Sequence, residues 1–436
     1  MGRTSRNRKK KKMKNRILSL STEDSFFNFV KWLLSEGWRP ACKLKMSSFP
    51  ETERGLMAKE RIAPNTVIVR IPAHLLISVK CVSESLLGHI LKECDAYFSV
   101  QQVLALFLIW EKHIGMHSFW RLYISTLPQK YTSPLFANER DLDKLPNFIK
   151  ERISELRSGV EKLYKSVPNF IGGKICHHCK KYLFNIFTPD EFKWAWFTVN
   201  SRSVYISPEK NFPHDLKLTD ANSLILAPFL DMFNHSDDAK VIASFNSNSN
   251  NYEIVSLVKY NCYDEVFVNY GDHSNLKLYL EYGFVLNENK NDIIFFNKCD
   301  FNVETFACTI DDYTKKFNYL ITKNFFRDLY CTSEGFSWNM YVLCYVFSPS
   351  FAFNEIATKK IYSGTFDTND WNNISKLGKI LLKNKLIEYQ QYFYELDKYV
   401  NENNCNESIL IGCYLLKAYI DILKDCLVKF DSQCKI

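Results

Sequence analysis

One short polar stretch of the sequence carries the residue types that could do chemistry. Residues 228–238 read PFLDMFNHSDD, so that Asn234, His235 and Ser236 directly follow an apolar run and three aspartates surround them. Such a stretch fits a polar surface turn, a metal site, or a backbone crossing that holds a ligand. A zinc site would need further ligands at metal spacing, and the neighbouring acids suit hard cations better. We therefore expect no metal at His235.

A second segment, farther along the chain, changes how the first is interpreted. Residues 268–285 read VNYGDHSNLKLYLEYGFV. The pattern predicts a strand that ends at Asn269-Tyr270-Gly271, a short loop, and a helix from Ser274 to Tyr282 that Gly283 ends. Alone, the Asn-His-Ser turn would indicate local loop capping, but the two segments together favour a shared site.

The sequence lacks the motifs of several other kinds of functional site. The CHHC run at 176–179 offers four possible zinc ligands, but no second Cys-x-x-Cys accompanies it, so we predict a surface loop between two helices and no metal. Phosphate-binding and dinucleotide-binding glycine loops are absent, as is a serine-hydrolase turn. The aromatic residues are spaced like core residues rather than like an RNA-binding sheet.

Regular elements that could position the two segments follow from the hydrophobic periodicity. A capped helix is predicted over Ser21 to Glu36, and a β-hairpin over residues 55–72. Helical periodicity extends from Leu86 to about Val167, and Thr188 caps a further helix. Three strands are predicted within residues 240–271, and the chain beyond about residue 311 is predicted to be mostly helical.

Composition and charge limit the class of protein. The chain has 436 residues, 46% of them hydrophobic, which is enough for two domains with large cores. No apolar run is long enough for a membrane span, and the 14 scattered cysteines indicate reduced thiols. Residues 1–16 contain nine Lys/Arg and no acid, so the rest of the chain is close to neutral. We expect this tail to be disordered and to serve nuclear import or nucleic-acid contact, with a solvated tail that does neither as the alternative, and we expect the protein in the cytoplasm and nucleus.

Together these segments resemble the SET-domain methyltransferases, in particular their Rubisco-methyltransferase-like branch. The resemblance rests on DMFNHS, on a strand ending in Tyr-Gly, and on the SN and EYGFV that follow. Upstream, ERGLMAKERIAPNTVIVRIP and WAWFTVNSRSVYI are similar to the opening segment of that branch and to its helix-to-strand segment.

The resemblance implies an α+β fold, in which small twisted sheets form a SET domain with a pseudoknot. A basic tail would occupy residues 1–20, the SET domain 21–290 with a helical insertion at about 86–187, and an all-α substrate-binding domain 291–436. The implied cofactor is S-adenosylmethionine. The residues implied to bind it are Glu53, Arg54, Gly55, Arg202, Asn234, His235 and Tyr270. Tyr270 would also be catalytic, and the residues implied at the substrate are Ser201, Asp231, Tyr282 and Phe284.

The resemblance further implies a protein-lysine N-methyltransferase that acts on histone or non-histone proteins. Two alternatives stay open: a protein-histidine N-methyltransferase, and a catalytically weak protein-binding module that keeps the fold. The chain departs from the family pattern at Glu53, where the branch usually has glycine, and at Ile206, where some members have an arginine on the substrate side. Apart from the protein substrate, the only partner expected is nucleic acid at the basic tail.

Overall fold

The computed structural model describes residues 18–19, 24–94, 96–208 and 214–433. The basic residues 1–16 lie outside the described ranges, so the roles predicted for them stay predictions. The chain divides into two compact units, the first formed by Met1–Tyr131 and Ser154–Asp272 and the second by Thr132–Ile153 and His273–Ile436. The domain boundaries implied by the family resemblance stay predictions.

Strands in the described ranges are short and belong to four small sheets. In chain order they are β1 (Leu18–Ser19), β2 (Leu44–Phe49), β3 (Glu53–Ala58), β4 (Thr66–Pro72), β5 (Ser203–Tyr205), β6 (Leu224–Leu226), β7 (Asn234–His235), β8 (Val241–Asn246), β9 (Asn251–Ser256), β10 (Glu265–Val268), β11 (Ile294–Phe295), β12 (Tyr330–Thr332) and β13 (Gly335–Phe336). The first unit holds the sheets β1-β2-β3-β10-β7, β4-β9-β8 and β5-β6, and the second holds β11-β12-β13.

Helices make up most of the remaining regular structure. In chain order they are α1 (Asp24–Ser35), α2 (Val79–Ser83), α3 (Leu86–Lys92), α4 (Val100–Ile114), α5 (Arg121–Ile124), α6 (Glu139–Leu142), α7 (Asn147–Ile171), α8 (Pro189–Arg202), α9 (Asn275–Glu281), α10 (Val303–Phe306), α11 (Ile310–Thr322), α12 (Trp338–Phe347), α13 (Glu355–Ser363), α14 (Thr368–Glu402) and α15 (Glu407–Gln433). The predicted α+β class is therefore correct.

Helix packing builds the core of each unit. In the first unit the apolar helix α4 is buried along most of its length and packs on α8. In the second unit the long helices α14 and α15 pack along each other, and the rings of Phe306 and Phe347 stack at 3.9 Å between centroids. Within the described part of the chain, no helix is both long and apolar enough to cross a membrane.

The predicted hairpin over residues 55–72 is wrong in its pairing, although both of its strands exist. β3 pairs with β2 and β10, whereas β4 pairs with β9 in another sheet. The hairpin formed here is β2-β3, whose register places Phe49 opposite Glu53. Alternating apolar residues identify a strand but do not specify which strand is its neighbour.

Local start and stop signals were predicted correctly for α8 and α9, whereas the cap predicted at Ser21 lies outside the described residues. The hydroxyl of Thr188 accepts a hydrogen bond from the amide of Glu191 at the start of α8. Ser274 caps α9 in the same way, and Gly283 follows its end with a φ of +83°. These signals act within a few residues, which is why the sequence is sufficient to locate them.

Candidate active site

The Asn-His segment lies beside the strand that leads to Tyr270. β7 consists only of Asn234 and His235 and runs parallel to β10, with Asn234 opposite Phe267 and His235 opposite Val268. The other edge of β10 pairs with β3 in antiparallel fashion. Tyr270 lies two residues beyond the end of β10. Three segments that are distant in sequence, β3, β7 and β10, thus meet in one sheet.

The side chain of Asn234 ties these segments together. Its Nδ2 lies 2.8 Å from the carbonyl oxygen of Arg54, 3.2 Å from that of Thr52 and 2.8 Å from Oε1 of Glu265, so its two hydrogens are shared among three acceptors. The hydroxyl of Thr52 donates to both carboxylate oxygens of Glu265, at 2.7 and 2.8 Å. Burial raises the pKa of Glu265, while the hydrogen bonds from Asn234 and Thr52 oppose the rise. The turn before β3 is thereby fastened to β7 and β10.

Gly55 is required by this close approach. A Cβ at position 55 would lie 2.8 Å from Nδ2 of Asn234 and still closer to the Glu265 carboxylate. Two residues earlier, the exposed Glu53 adopts a φ of +57°, in the left-handed region that favours glycine. The guanidinium of Arg54 lies over the ring of Phe26, 5.2 Å from its centroid. The turn therefore packs directly on the side chains of Asn234 and Glu265, in space that a Cβ at position 55 would fill.

His235 and Tyr270 contact each other through their rings and through the main chain. The amide of Tyr270 donates to Nδ1 of His235 at 3.1 Å, and the two rings stack with centroids 5.1 Å apart. Nε2 of His235 lies 3.1 Å from Oδ1 of Asp237. The hydroxyl of Tyr270 donates to the carbonyl of Phe233 at 2.6 Å. Burial lowers the pKa of His235, although Asp237 acts in the opposite direction.

Arg202 and Asp231 form a buried ion pair. Nη1 of Arg202 donates to the carbonyl of Asp231 at 3.0 Å and to its Oδ2 at 3.1 Å, and the hydroxyl of Tyr123 donates to the same Oδ2 at 3.0 Å. The side chain of Asp231 is 0% exposed. Burial by itself lowers the pKa of Arg202, but the Asp231 carboxylate raises it above its ordinary value. Among the described residues, the buried atoms Arg202 Nε and Asp231 Oδ1 have no hydrogen-bond partner.

Of the other residues implied at the substrate, one lies on α8 in the first unit and two lie in the second unit. Ser201 is half-buried on α8, where its hydroxyl donates to the carbonyl of Phe197 at 2.8 Å. Tyr282 and Phe284 belong to the second unit, where their rings meet edge to face at 6.3 Å. Burial raises the pKa of Tyr282 to about 12. The substrate roles of Ser201, Asp231, Tyr282 and Phe284 stay predictions.

Two residues of this arrangement escape prediction from the sequence. Glu265 stands at the start of a predicted strand, where an acid is normally solvated, and nothing nearby indicates that Asn234 binds it. Tyr123 is one of 24 tyrosines, and its position in a helical segment gives no sign that it contacts Asp231. Both contacts join residues that are far apart in the chain.

Comparison with known proteins identifies a family. The SET domain profile matches residues 53–271. SET domain-containing protein 4 of Homo sapiens is 30% identical over 342 residues, which cover 78% of this chain and 76% of that protein. Actin-histidine N-methyltransferase of Rattus norvegicus is 26% identical over 65% of this chain and 46% of its own length. A crystal structure of the SET domain of LSMT bound to lysine and AdoHcy superposes with a TM-score of 0.62 at 18% identity, over 94% of this chain and 92% of that one.

Proposed function

The chain belongs to the SET domain family, and from this premise we propose that it is an S-adenosylmethionine-dependent protein-lysine N-methyltransferase. The observation that carries the proposal is the position of Tyr270, whose hydroxyl is held by the carbonyl of Phe233 next to the Asn234-His235 strand. The lysine and AdoHcy bound by the LSMT structure support both the substrate class and the cofactor. Histones and non-histone proteins are both candidate substrates.

Residues around β7 fit the proposed cofactor. Those proposed to hold it are Glu53, Arg54, Gly55, Arg202, Asn234, His235 and Tyr270. Arg202 keeps a buried Nε without a partner in the described chain, and Gly55 lets its turn pack directly on the side chain of Asn234. When bound, S-adenosylmethionine supplies an electrophilic methyl group on a cationic sulfur.

The hydrogen-bond state of Tyr270 determines what its hydroxyl can offer. A phenol has one hydrogen to donate and lone pairs that accept. Because the hydrogen is donated to the carbonyl of Phe233, the oxygen is left with acceptor capacity. Such an oxygen can orient an amine N–H and accept weak C–H contacts, so Tyr270 acts by alignment. The hydrogen bond and the stack on His235 keep the phenol in one orientation before any substrate binds.

The target amine must lose a proton before it can react. A lysine ammonium has a reference pKa of about 10.4, and an apolar environment beside a positive charge lowers it. A histidine side chain, with a reference pKa of about 6.5, is already neutral at physiological pH. The 26% identity to actin-histidine N-methyltransferase keeps histidine as the second candidate target. The rate is expected to keep rising above neutral pH for a lysine target and to level off near neutrality for a histidine target.

Labelling in a cell extract tests the proposed function. The full chain is incubated with extract and isotopically labelled S-adenosylmethionine, and mass spectrometry identifies the residue that carries the label. Tyr270→Phe is expected to reduce transfer by about 100-fold or more, the scale typical of losing one positioned hydrogen-bonding group. Tyr252→Phe is the matched control, because the Tyr252 hydroxyl also donates to a carbonyl, that of Tyr205 at 2.8 Å. A folded chain that binds no S-adenosylmethionine would refute the enzyme and favour a protein-binding module.

We further propose that the basic residues 1–16 direct nuclear entry, alongside a cytoplasmic pool. Nine cationic side chains without an acid suit an import signal or contact with nucleic acid. Deleting residues 1–16 from a fluorescent fusion is expected to shift the protein toward the cytoplasm. An unchanged distribution would contradict this role.

A further inference from the structure

The Cys176–Cys179 segment forms a tight turn. The amide of Cys176 donates to the carbonyl of Lys181 and the amide of Lys180 donates to the carbonyl of Cys176, both at 2.8 Å. Lys180 adopts a φ of +61°, which reverses the chain. Both thiols are thus presented from one short loop between α7 and α8, in a region that has no part in the proposed methyl transfer.

The end of α4 brings a third ligand to this turn. Nε2 of His113 lies 3.3 Å from Sγ of Cys179, and the ligand atoms of His113, Cys176 and Cys179 all lie within 4.8 Å of one another. Cys176 is completely buried, and Cys179 and His113 are partly exposed. His113 is 66 positions from Cys179 in the chain, so the missing second ligand source was not recognisable in the sequence.

Two more imidazoles lie next to these ligands in the chain. The rings of His117 and His178 meet edge to face, 4.3 Å between centroids. His178 is within the Cys-x-x-Cys loop itself, and His117 follows His113 in the short turn after α4. Both rings are exposed.

We propose that His113, Cys176 and Cys179 bind a zinc ion, with His117 or His178 as the fourth ligand. In a tetrahedral zinc site, bonds of about 2.3 Å to sulfur and about 2.0–2.1 Å to nitrogen separate neighbouring ligand atoms by roughly 3.5–3.8 Å. The three atoms therefore need to move only slightly to reach that spacing. Two thiolates with two imidazoles are a common ligand set of structural zinc sites. Each thiol releases its proton to solvent on binding.

The site would join elements within the first unit. His113 lies on α4, whose apolar side packs on α8, while the cysteines precede α8 in the loop after α7. A closed site with protein ligands contributes to folding rather than to catalysis. Zinc binding is thus expected to stabilise the helical segment that interrupts the SET domain.

Metal analysis of the full chain tests this proposal. Protein purified without chelator is expected to contain about one zinc per chain, and cobalt(II) exchanged into it is expected to give the visible and thiolate charge-transfer bands of tetrahedral coordination. Cys179→Ser and His113→Ala should lose most of the bound metal and those bands. The control variants Cys299→Ser and His89→Ala replace exposed residues elsewhere and should retain both.

A second test uses only the wild-type chain, so a variant that fails to fold cannot affect its result. Stripping the metal with a chelator is expected to lower the melting temperature, and added zinc should restore it. Folded protein that takes up neither zinc nor cobalt, or that carries a Cys176–Cys179 disulfide, would overturn the proposal.

Cobalt spectra of His117→Ala and His178→Ala identify the fourth ligand, and spectra unchanged in both would refute that part of the assignment.

Discussion

The backbone amide of Tyr270 donates a hydrogen bond to Nδ1 of His235 at 3.1 Å. A ring nitrogen can accept only when it carries no proton, so His235 is neutral and carries its single proton on Nε2, which faces Asp237. Through this hydrogen bond the imidazole of His235 holds the main chain at Tyr270 in place. Protonating Nδ1 would remove the acceptor and free the amide of Tyr270.

Stability is expected to depend on pH through His235. Its pKa is lowered from the ordinary value of 6.5 by burial, so in acid the unfolded chain takes up a proton before the folded chain does. The stabilisation from the neutral ring is complete above the unfolded pKa and is lost as pH falls below it. His235→Gln should therefore lower the melting temperature more at about pH 7.5 than at about pH 5.5. A difference that does not change with pH would contradict this, and the exposed His74→Gln serves as the control.

Gly55→Ala is expected to destabilise the first unit. The new methyl group would collide with Asn234 and Glu265, at a cost of about 1–3 kcal/mol in the free energy of unfolding. Gly159→Ala is the matched control, because its Cβ meets no atom within 4 Å and it lies inside α7, where alanine stabilises by about 0.5–1 kcal/mol. Denaturant unfolding of both variants measures the contrast. Equal stabilities would show that the turn can move away from β10.

Breaking the Arg202–Asp231 pair should cost more than removing it whole. Arg202→Met leaves a buried carboxylate, and such losses are about 3–5 kcal/mol. The double variant Arg202→Met with Asp231→Leu should recover much of that stability, yet it should still lose cofactor affinity in calorimetry if Arg202 binds cofactor. The exposed pair Lys315–Asp311 provides the control, and its removal should leave the melting temperature unchanged.

Glu53→Gly is expected to stabilise the protein. A left-handed backbone costs an L-residue about 1–2 kcal/mol, which glycine at position 53 would relieve. The greater freedom of glycine in the unfolded chain offsets about 0.5–1 kcal/mol of that gain. Glu53→Ala also removes the carboxylate but keeps the strained backbone, so it should not stabilise. Thermal unfolding compares the two variants. Equal effects on stability would assign the change to charge, and cofactor titration of both measures whether that carboxylate favours binding.

The sequence is sufficient for features that depend on near neighbours. The helix caps at Thr188 and Ser274 and the strands β8, β9 and β10 were all predicted from local pattern. Pairing between distant segments was not, because β3 and β4 have similar alternation but separate partners. The order of the two polar motifs was enough to suggest the family, whereas the hydrogen bond from Asn234 to Glu265 depends on the pairing of β7 with β10, which no local pattern specifies.

The position of β10 inside its sheet determines where the chain tolerates a change of length. It has β3 on one side and β7 on the other, so one added residue would break two registers and turn the following side chains to the opposite face. The exposed turn between β8 and β9 has no such double constraint. Insertions should therefore be accepted at residues 247–250 and rejected at 265–268, which makes that turn the place to attach a reporter without disturbing Tyr270.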